Sequence, residues 1–149
     1  MKSGTSSWRS RRRAGTATVE FALVAPLLLL LTAGALDYAM VLRTAASLAD
    51  AARTGAQFGS SSTTNASNIS GMQTAAVNSA PGITGMTATA VRSCQCPGGS
   101  PVTCSGSCAG GKMLVYVQVT TQATAHTVFS YSQLPFNATV RGQASMRAQ

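Results

Sequence analysis

The sequence predicts an α+β chain: a long N-terminal helix, half of it transmembrane, with a short second helix and a small antiparallel sheet of about three strands. Three observations carry this. An uncharged apolar run of sixteen residues, 21–36, follows a basic leader. Alanines then continue at helical spacing to about residue 58. Beyond them Ser, Thr, Gly and Val take over, and segment 112–121 alternates in the manner of a half-buried strand.

Composition narrows the function classes before any motif is read. The chain has 149 residues, 11 Lys+Arg, 3 Asp+Glu, one His and four Cys. Three carboxylates and one imidazole leave almost no material for acid–base chemistry, so the sequence argues against an enzyme and calls for no cofactor. The net charge of +8 is unevenly spread: Lys2, Arg9, Arg11, Arg12 and Arg13 lie in the first thirteen positions. A nucleic-acid module would spread its basic footprint over a folded face, so nucleic acid is not the expected partner. Basic residues beside a membrane segment stay on the cytoplasmic side, which makes 1–15 a cytoplasmic leader.

Residues 16–58 follow as one helix. Its transmembrane part is about 21–42, since roughly 20 residues cross the hydrocarbon layer. Asp37 falls near the outer end, where a carboxylate costs much less than at the centre. Pro26 is expected to kink the helix, which membrane helices tolerate. In the outer half Leu42, Ala45, Ala46, Ala49, Ala52 and Ala56 share a face, with Leu48 on its flank. Gly59 and the Ser/Thr/Asn run at 60–65 end the helix. A second helix is expected at 67–79, closed by Pro81-Gly82. Strands are expected at 83–92, 112–121 and 136–147. In the middle one, Met113, Val115, Val117 and Val119 form the core side, opposite Leu114, Tyr116, Gln118 and Thr120. The whole of 59–149 then forms a small extracytoplasmic α+β domain.

Cys94, Cys96, Cys104 and Cys108 fall in a Gly/Pro-rich loop between two expected strands. Four thiols could hold zinc, but C-x-C followed by C-x3-C fits the usual C-x2-C pairs poorly. The extracytoplasmic location favours two disulfides and no metal. Three pairings are open, and the nested one, Cys94–Cys108 with Cys96–Cys104, suits a hairpin. Other patterns lead nowhere. Gly106–Met113 imitates a phosphate-binding loop, but Met113 replaces the hydroxyl residue and a strand follows it. His126 stands alone, as a surface or partly buried structural residue. Asn65, Asn68 and Asn137 begin N-x-[ST] triplets that a Ser/Thr-rich chain produces by chance. Gly55 and Gly59 have the spacing of a close helix contact, but a helix end is the simpler reading.

The most informative segment is 11–26, RRRAGTATVEFALVAP. One reading makes it an ordinary secretory signal, with Ala33-Gly34-Ala35 as cleavage site and a soluble binding domain released after Ala35. An uncleaved single-pass anchor is a third possibility. The reading preferred here rests on Gly15 followed by Thr16, with Glu20 and Phe21 at the fifth and sixth positions. This resembles the type IV prepilin junction, which implies cleavage between Gly15 and Thr16 by a prepilin peptidase. A carboxylate heading an apolar helix is costly unless paired. The new α-amino group of a neighbouring subunit's Thr16 would pair with Glu20 and set axial register. Thr16 departs from type IVa pilins, which carry a methylated phenylalanine there, so the likeness leaves N-methylation of Thr16 open.

The wider wording, G-x-A-T-V-E-F-A-L-V-A-P before a Leu run, resembles the TadE-like proteins of the tight-adherence, or Flp, pilus systems. VYVQVTT, Phe136 after a proline and the terminal Ala144-Ser145-Met146-Arg147 agree loosely. The resemblance implies a pseudopilin, or minor pilin: a non-enzymatic subunit of the cytoplasmic membrane, N-terminus inside, needed to assemble the fibre. Its implied partners are the membrane, the prepilin peptidase, other pilin-like subunits and the assembly machinery. Residues 21–42 would retain it and pack against other helices.

Overall fold

Helix α1 spans Arg11–Ser60, 50 residues in a single run. A computed structural model supplies the structure; it describes residues 11–127 and 138–148, with side chains from Ala17 onward. Lys2 and Arg9 of the leader, and Phe136 and Asn137 at the expected start of the last strand, lie outside the described residues. The helix is already present five residues before the expected Thr16: the arginines and Ala14 are good helix formers, and Gly15 alone does not interrupt them.

The expected loop after α1 is instead a short helix. α2, Thr63–Ser67, is capped by Ser62, whose hydroxyl accepts from the Asn65 amide at 3.1 Å. α3, Ile69–Ser79, is capped by Asn68, whose side chain accepts from the Gly71 amide at 2.9 Å. Ser and Asn side chains satisfy orphan amides at helix starts, so the same polar run that reads as a breaker also starts two helices.

Four strands follow: β1 Thr87–Gln95, β2 Pro101–Val102, β3 Leu114–Thr124 and β4 Thr139–Arg147. All pairings are antiparallel in the order β2-β1-β3-β4. The sheet is thus the expected three strands plus a two-residue edge strand. β1 starts later than expected, because 83–86 is spent on turns with Gly85 at positive φ. One sheet face is covered by α1, over β3 and β4, and by α3, over β1. The opposite face is mostly polar: around Val91, Leu114 and Tyr116 it carries Thr87, Thr89 and Ser93 on β1, Gln118 and Gln122 on β3, and Arg141, Gln143, Ser145 and Arg147 on β4.

The core lies between sheet and helices: Ala56, Ala66, Met72, Ala76, Cys94, Val115, Val117, Val119 and Ala148. β3 carries the alternation expected of it, with Val115, Val117 and Val119 buried. The face of α1 is rotated from the expected one. Leu48, Ala51, Ala52, Gly55, Ala56 and Gly59 are buried, whereas Leu42 and Ala46 are exposed. Leu48 is therefore at the centre of the seam. Gly55 and Gly59 lie inside α1, against Met72 of α3: an added methyl at Gly55 would sit 2.8 Å from the Met72 carbonyl. The pair marks a close helix contact, and Gly59 is also next to the last residue of α1, Ser60, so the helix ends where expected.

All four cysteines are paired, but not in the nested way. The bonds are Cys94–Cys104 and Cys96–Cys108, with Cα separations of 5.2 and 5.5 Å. The cause is the register of the β1–β2 hairpin. Cys94 faces Val102, Gln95 faces Pro101, and the Cys96 amide donates to the Ser100 carbonyl at 2.9 Å. The turn closes through Gly98 and Gly99, at φ 105° and 88°, a region that suits glycine. Ser100 therefore stands opposite Cys96, so Cys104 lies back along the hairpin, within reach of Cys94.

Candidate functional site

The functional surface begins as the apolar half of α1. From Val19 to Leu31 its large side chains point outward all round the helix; Leu23 is 76% exposed and Leu30 is 68% exposed. A helix stretch that is apolar on every side and that no other described element covers needs an apolar surrounding. The stretch Ala17–Ser60 contains a window of mean hydropathy 2.2 with none of it buried, long and apolar enough to cross a membrane. Its hydroxyls are satisfied internally: Thr32 donates to the Leu29 carbonyl at 2.9 Å, as Thr44 does to Met40 at 3.0 Å. That is what a low-dielectric environment requires. α1 continues through Pro26, although proline removes the amide that the Ala22 carbonyl would take.

The structure places the junction residues inside this helix. Gly15 and Thr16 are in the second turn of α1. Glu20 and Phe21 are exposed, and Glu20 makes no ion pair among the described residues. The uncut helix has no acidic residue in its first turn, so Glu20 serves no N-terminal dipole there. Starting the helix at Thr16 would place Glu20 at its head.

The other half of α1 is held by a contact the sequence reading missed. Thr121 of β3 is fully buried, and its hydroxyl donates to the Leu48 carbonyl at 2.8 Å. Beside it Gly142 of β4 lies flat on the helix backbone; a side chain there would overlap Leu48 and Ala49. The signal was present as a glycine inside an alternating strand, which often marks close backbone approach. Asp50 and Arg53 form an exposed pair at 3.4 Å one turn further on, of little energetic weight. His126 is exposed and lines an open cavity of about 530 Å³ with Arg43, Ser47 and Asp50. The described residues contain no group of three or more potential metal ligands.

These features define a class: a single helix with a membrane-compatible apolar half, whose other half is built into a disulfide-stapled α+β domain. Within that class, residues 15–57 match the TadE-like protein family. The match starts at Gly15, runs through the apolar half and ends within the docked half of α1. It bears out the N-terminal resemblance; the looser likeness at the C-terminus lies outside it. No curated protein and no solved structure matches the chain.

Proposed function

We propose that the chain is a pilin-like membrane subunit, a non-enzymatic pseudopilin that a prepilin peptidase cuts between Gly15 and Thr16 and that serves assembly of a tight-adherence pilus. The supporting observation is the coincidence of the TadE-like match with a helix that is wholly exposed and apolar in one half and docked in the other. The basic leader stays in the cytoplasm and the sheet domain outside. Cleavage removes the first turn of α1 and leaves Thr16 as a charged terminus. Glu20 then pairs with the Thr16 amine of a neighbouring subunit and fixes the axial offset between helices. Phe21 and the following apolar side chains make the packing surface. Motive force comes from other components of the machinery, which is also where ATP is used.

The test is the N-terminus and intact mass of the chain from its native membrane, without reductant. The expected product begins at Thr16 and lies four mass units below the reduced value. A product beginning at Leu36 establishes a secreted domain instead. Gly15→Ala should leave the leader attached. Glu20→Ala should permit cleavage and lose assembly. A chain indifferent to both changes is a plain anchor.

A further inference from the structure

The lower rim of the sheet sits beside the apolar half of α1, not above it. The β3–β4 ladder continues past its last pair, Thr124 with Thr139, to Ala125, whose amide donates to the Ala138 carbonyl at 2.9 Å. Ala125, Thr127 and Ala138 face Gly34, Asp37, Tyr38 and Val41 across a groove of about 350 Å³ with an almost wholly apolar surface.

The level of this groove follows from helix geometry. A hydrocarbon layer of about 30 Å takes ~20 residues at 1.5 Å each. Counted from Ala17, the layer ends near Leu36; counted from Phe21, it ends near Met40. Either choice leaves Gly34 inside the hydrocarbon and Val41 outside it. Tilt lengthens the crossing and moves the groove deeper. Asp37 then falls at or near the boundary, where a carboxylate is tolerated. The backbone groups of Ala125 and Ala138 that meet here are paired with each other, as lipid contact demands.

We propose that this groove is filled by an acyl chain of an outer-leaflet phospholipid, making the lower rim of the sheet a second membrane contact beside the helix. Leu30 and Leu31, both exposed, lie one turn before Gly34 on the same face of α1 and extend the groove's apolar wall. Lipid is the solvent at that depth, so its chains fill the groove without a dedicated recognition element. The inference rests on α1 crossing the membrane, as in the proposed function.

The test uses the full chain in phosphatidylcholine nanodiscs, with nitroxides on single cysteines introduced as Thr127→Cys or Ala138→Cys. The native cysteines are all paired, so labelling without reductant is selective. Leu29→Cys reports the apolar half and Val91→Cys the outer sheet face; both positions are exposed. Collision with oxygen is compared with collision with a water-soluble nickel chelate. The expected oxygen-to-nickel ratio at 127 and 138 approaches that at 29 and exceeds that at 91 several-fold. Ratios at 127 and 138 equal to that at 91, with 29 still oxygen-rich, overturn the inference and leave the membrane reading standing. A water-exposed label at 29 overturns both. Protection of 127 and 138 from both reagents, with short distances between labels on separate chains, assigns the groove to a second copy and overturns the lipid. Ala138 is exposed, so its variant keeps the test open if Thr127→Cys misfolds.

Discussion

The two halves of α1 are one helix under two opposite rules. From Val19 to Leu31 it carries large apolar side chains, all exposed, and Gly34 has nothing within 4 Å of where a side chain would be. From Leu48 to Gly59 the inward positions are mostly Ala and Gly, and the space beside them is full. The first half makes a broad apolar surface and commits to no geometry. The second gives up side-chain volume so that other backbones can approach. Chemistry alone selects the surroundings of the first half; shape selects the neighbours of the second.

Substitutions of matched type should separate these rules. The largest effect is expected from Gly142→Val, whose side chain would meet helix backbone that no rotamer change can move aside. Overpacking of this kind costs about 3 kcal/mol. The check is a lowered midpoint in thermal unfolding of the detergent-solubilised chain, followed by the sheet signal in circular dichroism. Next is the double change Cys96→Ser and Cys108→Ser. It releases a bridge of sequence separation 12 and should cost about 2–3 kcal/mol, mainly through the freer unfolded chain. Denaturant titration without reductant reads this, with reduction of the wild type giving at least the same loss. Thr121→Val keeps the shape and removes the bond to Leu48, for about 1 kcal/mol. Its midpoint should fall less than that of Gly142→Val. Smallest, and opposite in sign, is Gly34→Ala: with open space around it, the better helix former should stabilise by at most about 1 kcal/mol. A clear loss there would show that the apolar half also obeys a shape rule.

What could be read in advance follows the same division. The apolar half of α1 was legible because composition alone defines it. The inner face of β3 was legible because Val115, Val117 and Val119 alternate with polar residues over a long run. The docked face of α1 was not, because alanine occurs on several of its sides. The contacts at Thr121, Gly142 and Met72 choose among them. Gly55 and Gly59 carry the same spacing whether they end a helix or admit Met72. β2 is two residues long, too short to show a period, and its register with Cys94 decided the disulfide pairing. For the junction, Gly15, Thr16, Glu20 and Phe21 were legible as a motif. Their roles depend on a peptidase and a neighbouring subunit, so a single chain displays the residues without the partners.

The grip on α1 also has a mechanical meaning. At 1.5 Å per residue the 50-residue helix is about 75 Å long, and the sheet holds it along the flank of its last three turns, Leu48 to Gly59. A pull between the apolar end and the sheet therefore runs along the seam. Leu48, Ala52, Ala56 and the Thr121 hydroxyl would bear such a load together, in shear, and would not peel apart one after another. The folded domain is thus attached to the rod as a collar, able to pass axial tension to it without first unravelling the joint.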